Sequence, residues 1–169
     1  MSVVKILGVT ITSGLSMSEH VKAILGSSAQ SLYAIKILRS HGLSTSALFH
    51  IYRSVIIAKL VYAASAWWGF ASQTDLQRIN AFLRRGIKYG LCSPETPTFE
   101  ELCQAADLKL FATVLANTNH VLNKLLPPQN TAFKHYNLRK PIHDLQLPDR
   151  SNYLINCNFF NRVLYHDSY

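Results

Sequence analysis

The sequence has little that would support catalysis or metal binding. Its three cysteines, Cys92, Cys103 and Cys157, are odd in number and form no Cys-x-x-Cys pair. This spacing argues against a disulfide framework and is typical of free thiols in a reducing compartment. The seven histidines are scattered, and neither a His-Glu-x-x-His motif nor a phosphate-binding glycine loop occurs. We therefore predict no catalytic residue, no metal site, no cofactor and no small-molecule substrate for this chain.

A secretory signal is also missing. The chain opens with SVVKILGVTI, whose alternation of apolar and polar residues suits a strand and which has no cleavage site. We therefore expect an intracellular protein, in the cytoplasm or the nucleus.

Acidic residues are scarce in the first half of the chain. Between residues 21 and 94 nine lysines and arginines accompany a single acid, Asp75, so this segment carries the whole net charge of +8. The rest of the chain has eight residues of each sign. Localised positive charge in a folded region indicates a polyanionic partner, most often nucleic acid. The alternative is a solvated surface that only aids solubility.

One long apolar stretch is present, at residues 44–70. Its spacing predicts a single helix with Ser44 or Thr45 as N-cap and Gly69 near its end. A helix that is apolar on most of its circumference is either a buried central helix or a membrane span. Because Lys59 lies inside the apolar run, we favour the buried helix over a span at residues 55–71.

The elements before and after this stretch also follow from local patterns. Residues 3–12 predict one strand in which Gly8 marks a bulge or a close backbone approach. A capping box that begins at Ser16 predicts a helix to about Ser40, antiparallel to the central helix because the connection is short. A second box, at residues 74–77, opens a helix that ends at Gly90.

The helix that ends at Gly90 has a basic stripe. Its apolar positions predict one buried face, formed by Leu76, Ile79, Leu83 and Ile87. The opposite arc carries Arg78, Arg84, Arg85 and Lys88. Such a stripe can follow the phosphates of a nucleic acid, but a solvated helix face has the same pattern.

The second half of the chain is less regular. A third capping box, at residues 98–101, predicts a short helix to about Ala106, followed by a longer helix from Asp107 to Leu126. Residues 129–150 are polar and interrupted by prolines, which predicts an extended arm, and residues 156–165 fit either a strand or a helix.

The sequence thus predicts a mainly α fold. A short N-terminal β strand or hairpin occupies residues 1–15, a three-helix bundle residues 16–93, and a helical C-terminal extension with an irregular tail residues 94–169. The break at the prolines that follow residue 93 places the last boundary.

Several stretches resemble the region that follows the catalytic palm in reverse transcriptases of LINE-type (non-LTR) retrotransposons. These are a Lys-x-Leu-Gly-Val strand at residues 5–9, a Leu-Ser…His helix start at residues 15–20, and an Ile-Tyr pair at residues 51–52. A Tyr-Ala…Trp helix end follows at residues 62–68. TFEELCQAADLKLF, LRKPIHDLQLP and NFFNRVLYHDSY resemble the C-terminal tail of the family. The resemblance covers nearly the whole chain.

The resemblance implies a template–primer of RNA and DNA, or of DNA alone, as the partner. The N-terminal hairpin would be the primer grip, and the helices of residues 16–90 would be the thumb, which holds the duplex by its phosphates. Together with the charge distribution, it implies a nucleic-acid-binding set of Leu7, Gly8, Lys22, Arg39, Arg53, Arg78, Arg84, Arg85 and Lys88.

The chain departs from the family in one respect that concerns activity. The polymerase site needs a Tyr-x-Asp-Asp motif and a further aspartate for two divalent metals, and no Asp-Asp pair occurs here. In the parent polymerase those metals would be held by residues upstream of this region. The expectation is a truncated, non-catalytic fragment that binds nucleic acid. The alternative is a helical protein-interaction module or an inert remnant, with self-association through an exposed N-terminal strand.

Overall fold

The chain forms two compact units. The structure, a computed structural model, describes residues 3–129 and 143–166. The units divide between Gln104 and Ala105, whereas the sequence placed a boundary at residue 94. The first unit extends further because Phe99 and Cys103 are buried in its core. The prediction of a mainly α fold with a short N-terminal hairpin is confirmed.

The N-terminal residues form a two-stranded antiparallel hairpin. Strand β1 (Val3–Ile6) pairs with strand β2 (Val9–Thr12), and Ile6 lies opposite Val9. Leu7 and Gly8 form the turn with φ of 45° and 89°. Positive φ at both central residues is the requirement of the tight hairpin turns that match strand twist. Of the two alternatives that the sequence left open, a strand or a hairpin, the hairpin is therefore the one that forms, and Gly8 reverses the chain instead of marking a bulge within one strand.

Helix α1 (Ser18–Ser40) begins later than its sequence pattern predicts. Its N-cap is Met17, which makes no side-chain capping hydrogen bond. The predicted capping box at Ser16 is wrong, because the Ser16 amide donates to Thr12 Oγ1 at 3.0 Å in the turn that leaves β2. The predicted end of the helix is confirmed, since Gly42 has a φ of 88° just beyond it.

The long apolar stretch contains several helical pieces. They are α2 (Thr45–Ile51), a π-helix (Tyr52–Ile57), α3 (Ala58–Leu60), α4 (Ala64–Trp67) and a 3₁₀ turn (Trp68–Phe70). The prediction of a single continuous helix is wrong, because residues 61–63 form a turn in which Ala63 has a φ of 50°. Ser44 is confirmed as the N-cap, since its hydroxyl accepts a hydrogen bond from the Ala47 amide.

The π-helix changes which residues of this stretch are buried. The buried positions recur every four residues, at Leu48, Tyr52, Ile56, Leu60 and Ala64. Val55 and Tyr62, which a regular α-helix would place on the same face as Leu48, are 39% and 58% exposed. The wider turn of a π-helix rotates the following residues relative to a regular α-helix, which explains the difference.

This stretch, Thr45–Phe70, is the one part of the described chain that is apolar and long enough to cross a membrane, by length and composition only. The turn at residues 61–63 breaks the helical hydrogen bonding that a lipid environment would demand. Lys59 donates to Ser27 Oγ at 2.9 Å and to Ser31 Oγ at 3.0 Å, so α1 satisfies its ammonium group. These features are compatible with a soluble protein.

Helix α5 (Gln73–Lys88) is capped by Ser72. The Ser72 hydroxyl accepts from the Asp75 amide at 3.1 Å and donates to Asp75 Oδ2 at 2.7 Å. The predicted box at residues 74–77 is therefore wrong by two residues. The predicted end is confirmed, since Gly90 has a φ of 63°.

Contacts at both ends show how α1 lies against its neighbours. Ser18 donates to Asp75 Oδ2 at 2.7 Å near the N-termini of α1 and α5, and Arg39 donates to the Tyr89 carbonyl near their C-termini. These two helices are therefore parallel. The predicted antiparallel packing of the central stretch on α1 is confirmed by Lys59, which returns to Ser27 in the first half of α1.

The core of the first unit is centred on Trp67. Its indole is fully buried and stacks on Phe99 with ring centroids 5.7 Å apart. The indole Nε1 donates to the Tyr62 carbonyl at 3.1 Å, so the polar edge of the ring is satisfied inside the core.

Helix α6 (Phe99–Ala116) begins at the predicted capping box. Glu101 Oε2 accepts from the Thr98 amide at 2.8 Å and from its hydroxyl at 2.9 Å, so this box is confirmed. The helix is continuous past Ala106, and the predicted division into two helices is wrong. Asp107 does not cap a helix, because its buried carboxylate accepts from Arg162 at 3.0 Å.

Short elements complete the second unit. A 3₁₀ helix (Val121–Leu125) follows, so the predicted helix to Leu126 is wrong in its last part. Two helices, α7 (Tyr153–Cys157) and α8 (Phe159–Leu164), decide the question left open for residues 156–165. The predicted arm contains one isolated bridge, from Gln129 to Leu145, and its residues 130–142 lie outside the described part of the chain. Phe111, Val163 and Leu164 form the core.

Candidate nucleic-acid interface

All nine residues predicted to bind nucleic acid are exposed and lie in the first unit. Leu7, at the tip of the hairpin, is 86% exposed. The others are distributed over the hairpin turn, α1, the π-helix and α5. All nine residues are therefore accessible to a ligand, but they differ in the contacts that they make within the protein.

Arg84, Arg85 and Lys88 follow the outer side of α5. No hydrogen bond or ion pair joins their side chains to another described residue. Arg78 differs from them, because its guanidinium donates to Asp75 Oδ1 at 3.1 Å and its side chain is 45% exposed. Part of its charge is therefore used inside the protein.

Tyr89 brings basic residues of two helices together. Arg39 donates to its carbonyl, and the Lys36 ammonium lies 3.3 Å from the centroid of its ring. Lys88 immediately precedes Tyr89, and Arg85 lies one helical turn earlier. We call Lys36, Arg39, Arg85 and Lys88 the basic cluster. Lys36 was missed by the sequence prediction, because only a contact across 53 residues of chain, with Tyr89, places it here.

The single acid of the basic segment does not reach the surface. Asp75 is 2% exposed and accepts hydrogen bonds from Ser72, Ser18 and Arg78. Burial raises the pKa of Asp75, but these hydrogen bonds and the Arg78 charge outweigh it and hold that pKa below its usual value. The surface contributed by residues 21–94 therefore exposes basic side chains and no carboxylate.

Lys22 and Arg53 are not part of the basic cluster. Lys22 lies in the first half of α1, and Arg53 lies on the π-helix, where it lines a cavity of about 420 Å³ with Glu95. The nine predicted residues thus form several separate groups on the surface of the first unit.

The hairpin borders a groove with two further lysines. Lys5, Lys59, His20 and Tyr62 line this groove, which has a volume of about 550 Å³ and no carboxylate among its lining residues. The Tyr62 hydroxyl donates to the Leu7 carbonyl at 3.3 Å and so supports the hairpin turn. Lys5 and Lys59 were missed, because neither belongs to a basic stripe in the sequence.

His20 holds the hairpin against α1. Its Nδ1 accepts a hydrogen bond from the Thr10 amide at 3.3 Å, and its ring meets Trp67 edge-on at 4.8 Å. Burial, and to a lesser degree the charge of Lys5, lowers the pKa of His20. The imidazole therefore acts here as a neutral acceptor.

We expect the stability of the protein to decrease in mild acid because of His20. Its pKa is lowered from 6.5 in the folded chain, so the unfolded chain binds a proton first as the pH falls below that value. The free energy of unfolding should decrease by up to about 1.4 kcal/mol per pH unit until the folded-state pKa is reached. Urea denaturation at a series of pH values between about 7.5 and 5 measures this slope.

The matched control uses a histidine at an exposed position. His20→Asn should reduce the slope, and His50→Asn, on α2, should leave it unchanged. An equal slope in the wild type and in His20→Asn would show that other groups cause the pH dependence.

The comparisons with known proteins identify no relative. No protein-family model, no curated protein and no solved structure matches this chain at a significant level. The resemblance to LINE-type reverse transcriptases thus depends on the quoted motifs alone. Within residues 3–129 and 143–166, no group of three or more His, Cys, Asp and Glu side chains is arranged to hold a metal ion.

Proposed function

We propose that this chain is a non-catalytic nucleic-acid-binding fragment related to the thumb region of LINE-type reverse transcriptases. Its first unit would hold an RNA–DNA or DNA template–primer by the phosphate backbone. The observation that carries the proposal is electrostatic. Residues 21–94 expose basic side chains on α1, the π-helix and α5, and their one carboxylate is buried.

The arrangement of the charges supports backbone contacts rather than recognition of bases by these residues. Arg84, Arg85 and Lys88 extend along α5, and Lys36 and Arg39 continue the positive surface onto α1 at Tyr89. Basic side chains spread over parallel helices can neutralise several phosphates at once. Phosphate contacts fix the position of a duplex but carry no sequence information directly.

The basic residues at the C-terminus of α5 also have a structural use. Arg85 and Lys88 lie in its last turn, where positive charge compensates the negative end of the helix dipole. This contribution is worth only about 0.3–1 kcal/mol at an exposed position. The helix dipole therefore accounts for Arg85 and Lys88, but not for Arg84, Lys36 or Lys22.

The test is fluorescence anisotropy of a labelled RNA–DNA template–primer, titrated with the protein at several salt concentrations. We expect the logarithm of affinity to fall linearly with the logarithm of salt concentration. Arg84→Glu/Arg85→Glu should reduce the steepness of that line by about two and weaken binding on the order of tenfold for each phosphate that is no longer neutralised. Arg78 is left unchanged because it pairs with Asp75.

A matched control changes the same charge elsewhere. Lys109→Glu/Lys124→Glu, at exposed positions of the second unit, should leave the salt dependence nearly unchanged. Equal weakening by both double variants would indicate attraction by net charge alone. Absence of binding at low salt would overturn the proposal.

The exposed hairpin favours a second candidate, a protein-interaction module. Val3, Val4 and Ile6 of β1 are each more than half exposed, and β2 pairs with one edge of β1. The other edge has no partner within the described residues. An apolar edge strand of this kind can add a strand from a second molecule. Light scattering on the same samples separates the two candidates. The protein-interaction module is supported if the molecular mass rises with protein concentration and the protein has no affinity for nucleic acid.

A further inference from the structure

The π-helix forms one wall of a cavity, which Arg53 lines. The cavity has a volume of about 420 Å³, and the opposite wall is the loop of residues 92–97. This volume lies within the range of small-molecule sites, roughly 300–1,000 Å³. π-Helices occur frequently at functional sites, because the wider turn changes the direction of the side chains. We call this cavity the π-helix pocket.

The loop of the pocket is held in place by its own hydrogen bonds. The Thr96 hydroxyl donates to the Ser93 carbonyl at 2.6 Å, and the Glu95 amide donates to Ser93 Oγ at 3.2 Å. Leu102 of α6 and Phe49 of α2 add apolar surface to the lining. The pocket is therefore formed before a ligand arrives, and it has an aromatic side chain on which a flat ring can stack.

Tyr52 contributes a hydroxyl whose neighbour is the weakly hydrogen-bonding thiol of Cys92. It lines the pocket, and its hydroxyl is buried without a hydrogen bond of normal geometry. Burial, with the Cys92 thiol beside it, raises the pKa of Tyr52, so the hydroxyl stays protonated. A thiol is a weak hydrogen-bonding partner, and a buried hydroxyl without a good partner is costly.

Two opposite charges also line the pocket. Arg53 offers only hydrogen-bond donors and Glu95 only acceptors, and both side chains are exposed. They form no ion pair with each other within 4 Å. A ligand that engages both offers acceptors to the guanidinium and donors to the carboxylate, and a pair of each makes the strongest, bidentate contacts.

We propose that the π-helix pocket binds a guanine base. Guanine presents two adjacent acceptors, O6 and N7, which arginine contacts in a bidentate manner. On its neighbouring edge it presents two adjacent donors, N1–H and the N2 amino group, which match a carboxylate. The other three bases lack one or both of these pairs. Where the base belongs to a nucleic-acid strand, this inference rests on the proposed function and adds a base preference to backbone binding.

The base has two possible sources, a free nucleotide or an unpaired guanine in a strand. Isothermal titration with GMP, AMP, CMP and UMP tests the first source. Anisotropy with single-stranded oligonucleotides that differ only in one central base tests the second. We expect guanine to be preferred in at least one of these two assays, and equal affinity for all four bases in both would overturn the proposal.

Substitutions at the two charges test the assigned contacts. Glu95→Gln removes the pair of acceptors, and Arg53→Lys replaces the planar fork by a point charge. Each should reduce the preference for guanine over adenine about tenfold, since one bidentate contact typically contributes discrimination of this order. Glu19→Gln, an equal change at an exposed position outside the pocket, should leave the preference unchanged. A preference unaffected by both pocket variants would contradict the assignment.

The outcomes separate this inference from the proposed function. Steep salt dependence of binding without a base preference would support backbone binding and overturn the proposal that the pocket binds guanine. A preference for GMP without affinity for oligonucleotides or template–primer would support the pocket and overturn the proposed function. Thermal unfolding of Glu95→Gln and Arg53→Lys confirms that both variants are folded, as their exposed positions predict.

Discussion

Replacing Asp75 with alanine is expected to lower the free energy of unfolding by about 3 kcal/mol. The carboxylate accepts from the hydroxyls of Ser18 and Ser72, each at 2.7 Å, and from Arg78 at 3.1 Å. Its loss leaves the two hydroxyls without their acceptor and removes negative charge from the N-terminus of α5. It also removes the hydrogen bond that joins the first turns of α1 and α5. Urea denaturation followed by circular dichroism measures the change.

The control for Asp75 removes one partner at the surface. Arg78→Ala should cost about 1 kcal/mol or less, because the Arg78 side chain is 45% exposed and exposed ion pairs contribute little. The lowered pKa of Asp75 adds a second test. The stabilisation that it provides should be complete above the unfolded-state pKa of 3.8 and decrease as the pH falls towards the folded-state pKa. Equal losses of stability in Asp75→Ala and Arg78→Ala would show that the hydrogen bonds from Ser18 and Ser72 to the Asp75 carboxylate contribute nothing measurable.

Replacing Gly86 with alanine is expected to lower the free energy of unfolding by about 2–3 kcal/mol. An alanine Cβ would overlap the Tyr52 hydroxyl and lie 2.7 Å from Cζ of the ring. Tyr52 is almost fully buried, so its ring cannot move aside without disturbing the π-helix. This cost exceeds the gain of about 1 kcal/mol that alanine brings over glycine inside a helix.

The matched control for Gly86 is the glycine inside α1. A Cβ at Gly26 would meet no atom within 4 Å, so Gly26→Ala should raise the free energy of unfolding by up to about 1 kcal/mol. Opposite signs for the two substitutions in the same denaturation assay would confirm the close approach of α5 to Tyr52. A neutral Gly86→Ala would mean that Tyr52 has room to move.

Helix capping boxes could be predicted from the sequence only where no other group forms hydrogen bonds with the capping residues. The box at Thr98 and Glu101 forms as predicted, and these two side chains have no other hydrogen-bond partner among the described residues. The box at Ser16 does not form, because the turn after β2 takes its amide. For α5, both Ser72 and Thr74 precede a suitable partner, and the choice of Ser72 coincides with the burial of Asp75 beside Ser18.

The apolar stretch of residues 44–70 shows a second limit of prediction from the sequence. Its apolar pattern identified it as the element on which the first unit is built, and Leu48, Ile56 and Leu60 are indeed buried. The pattern did not reveal the π-helix or the turn at residues 61–63, and with them the pocket beside Tyr52 was missed. Apolar periodicity reports the preference of each residue for burial. It does not report which surfaces pack against the helix, such as Gly86 of α5 against Tyr52 at the start of the π-helix.

The sequence by itself determined the helical class of the protein, some of its helix boundaries, such as those at Ser44, Gly90 and Thr98, and the basic character of residues 21–94. These are properties of residue composition and of neighbours within a few positions, so they can be counted without knowing the fold. Only the tertiary structure decided which charges remain available. Asp75 meets Ser18 across 57 residues, and Arg39 meets the Tyr89 carbonyl across 50. Such contacts exist only after the chain has packed, because burial and distance, not residue type, decide which polar groups lose their water and must find a partner in the protein.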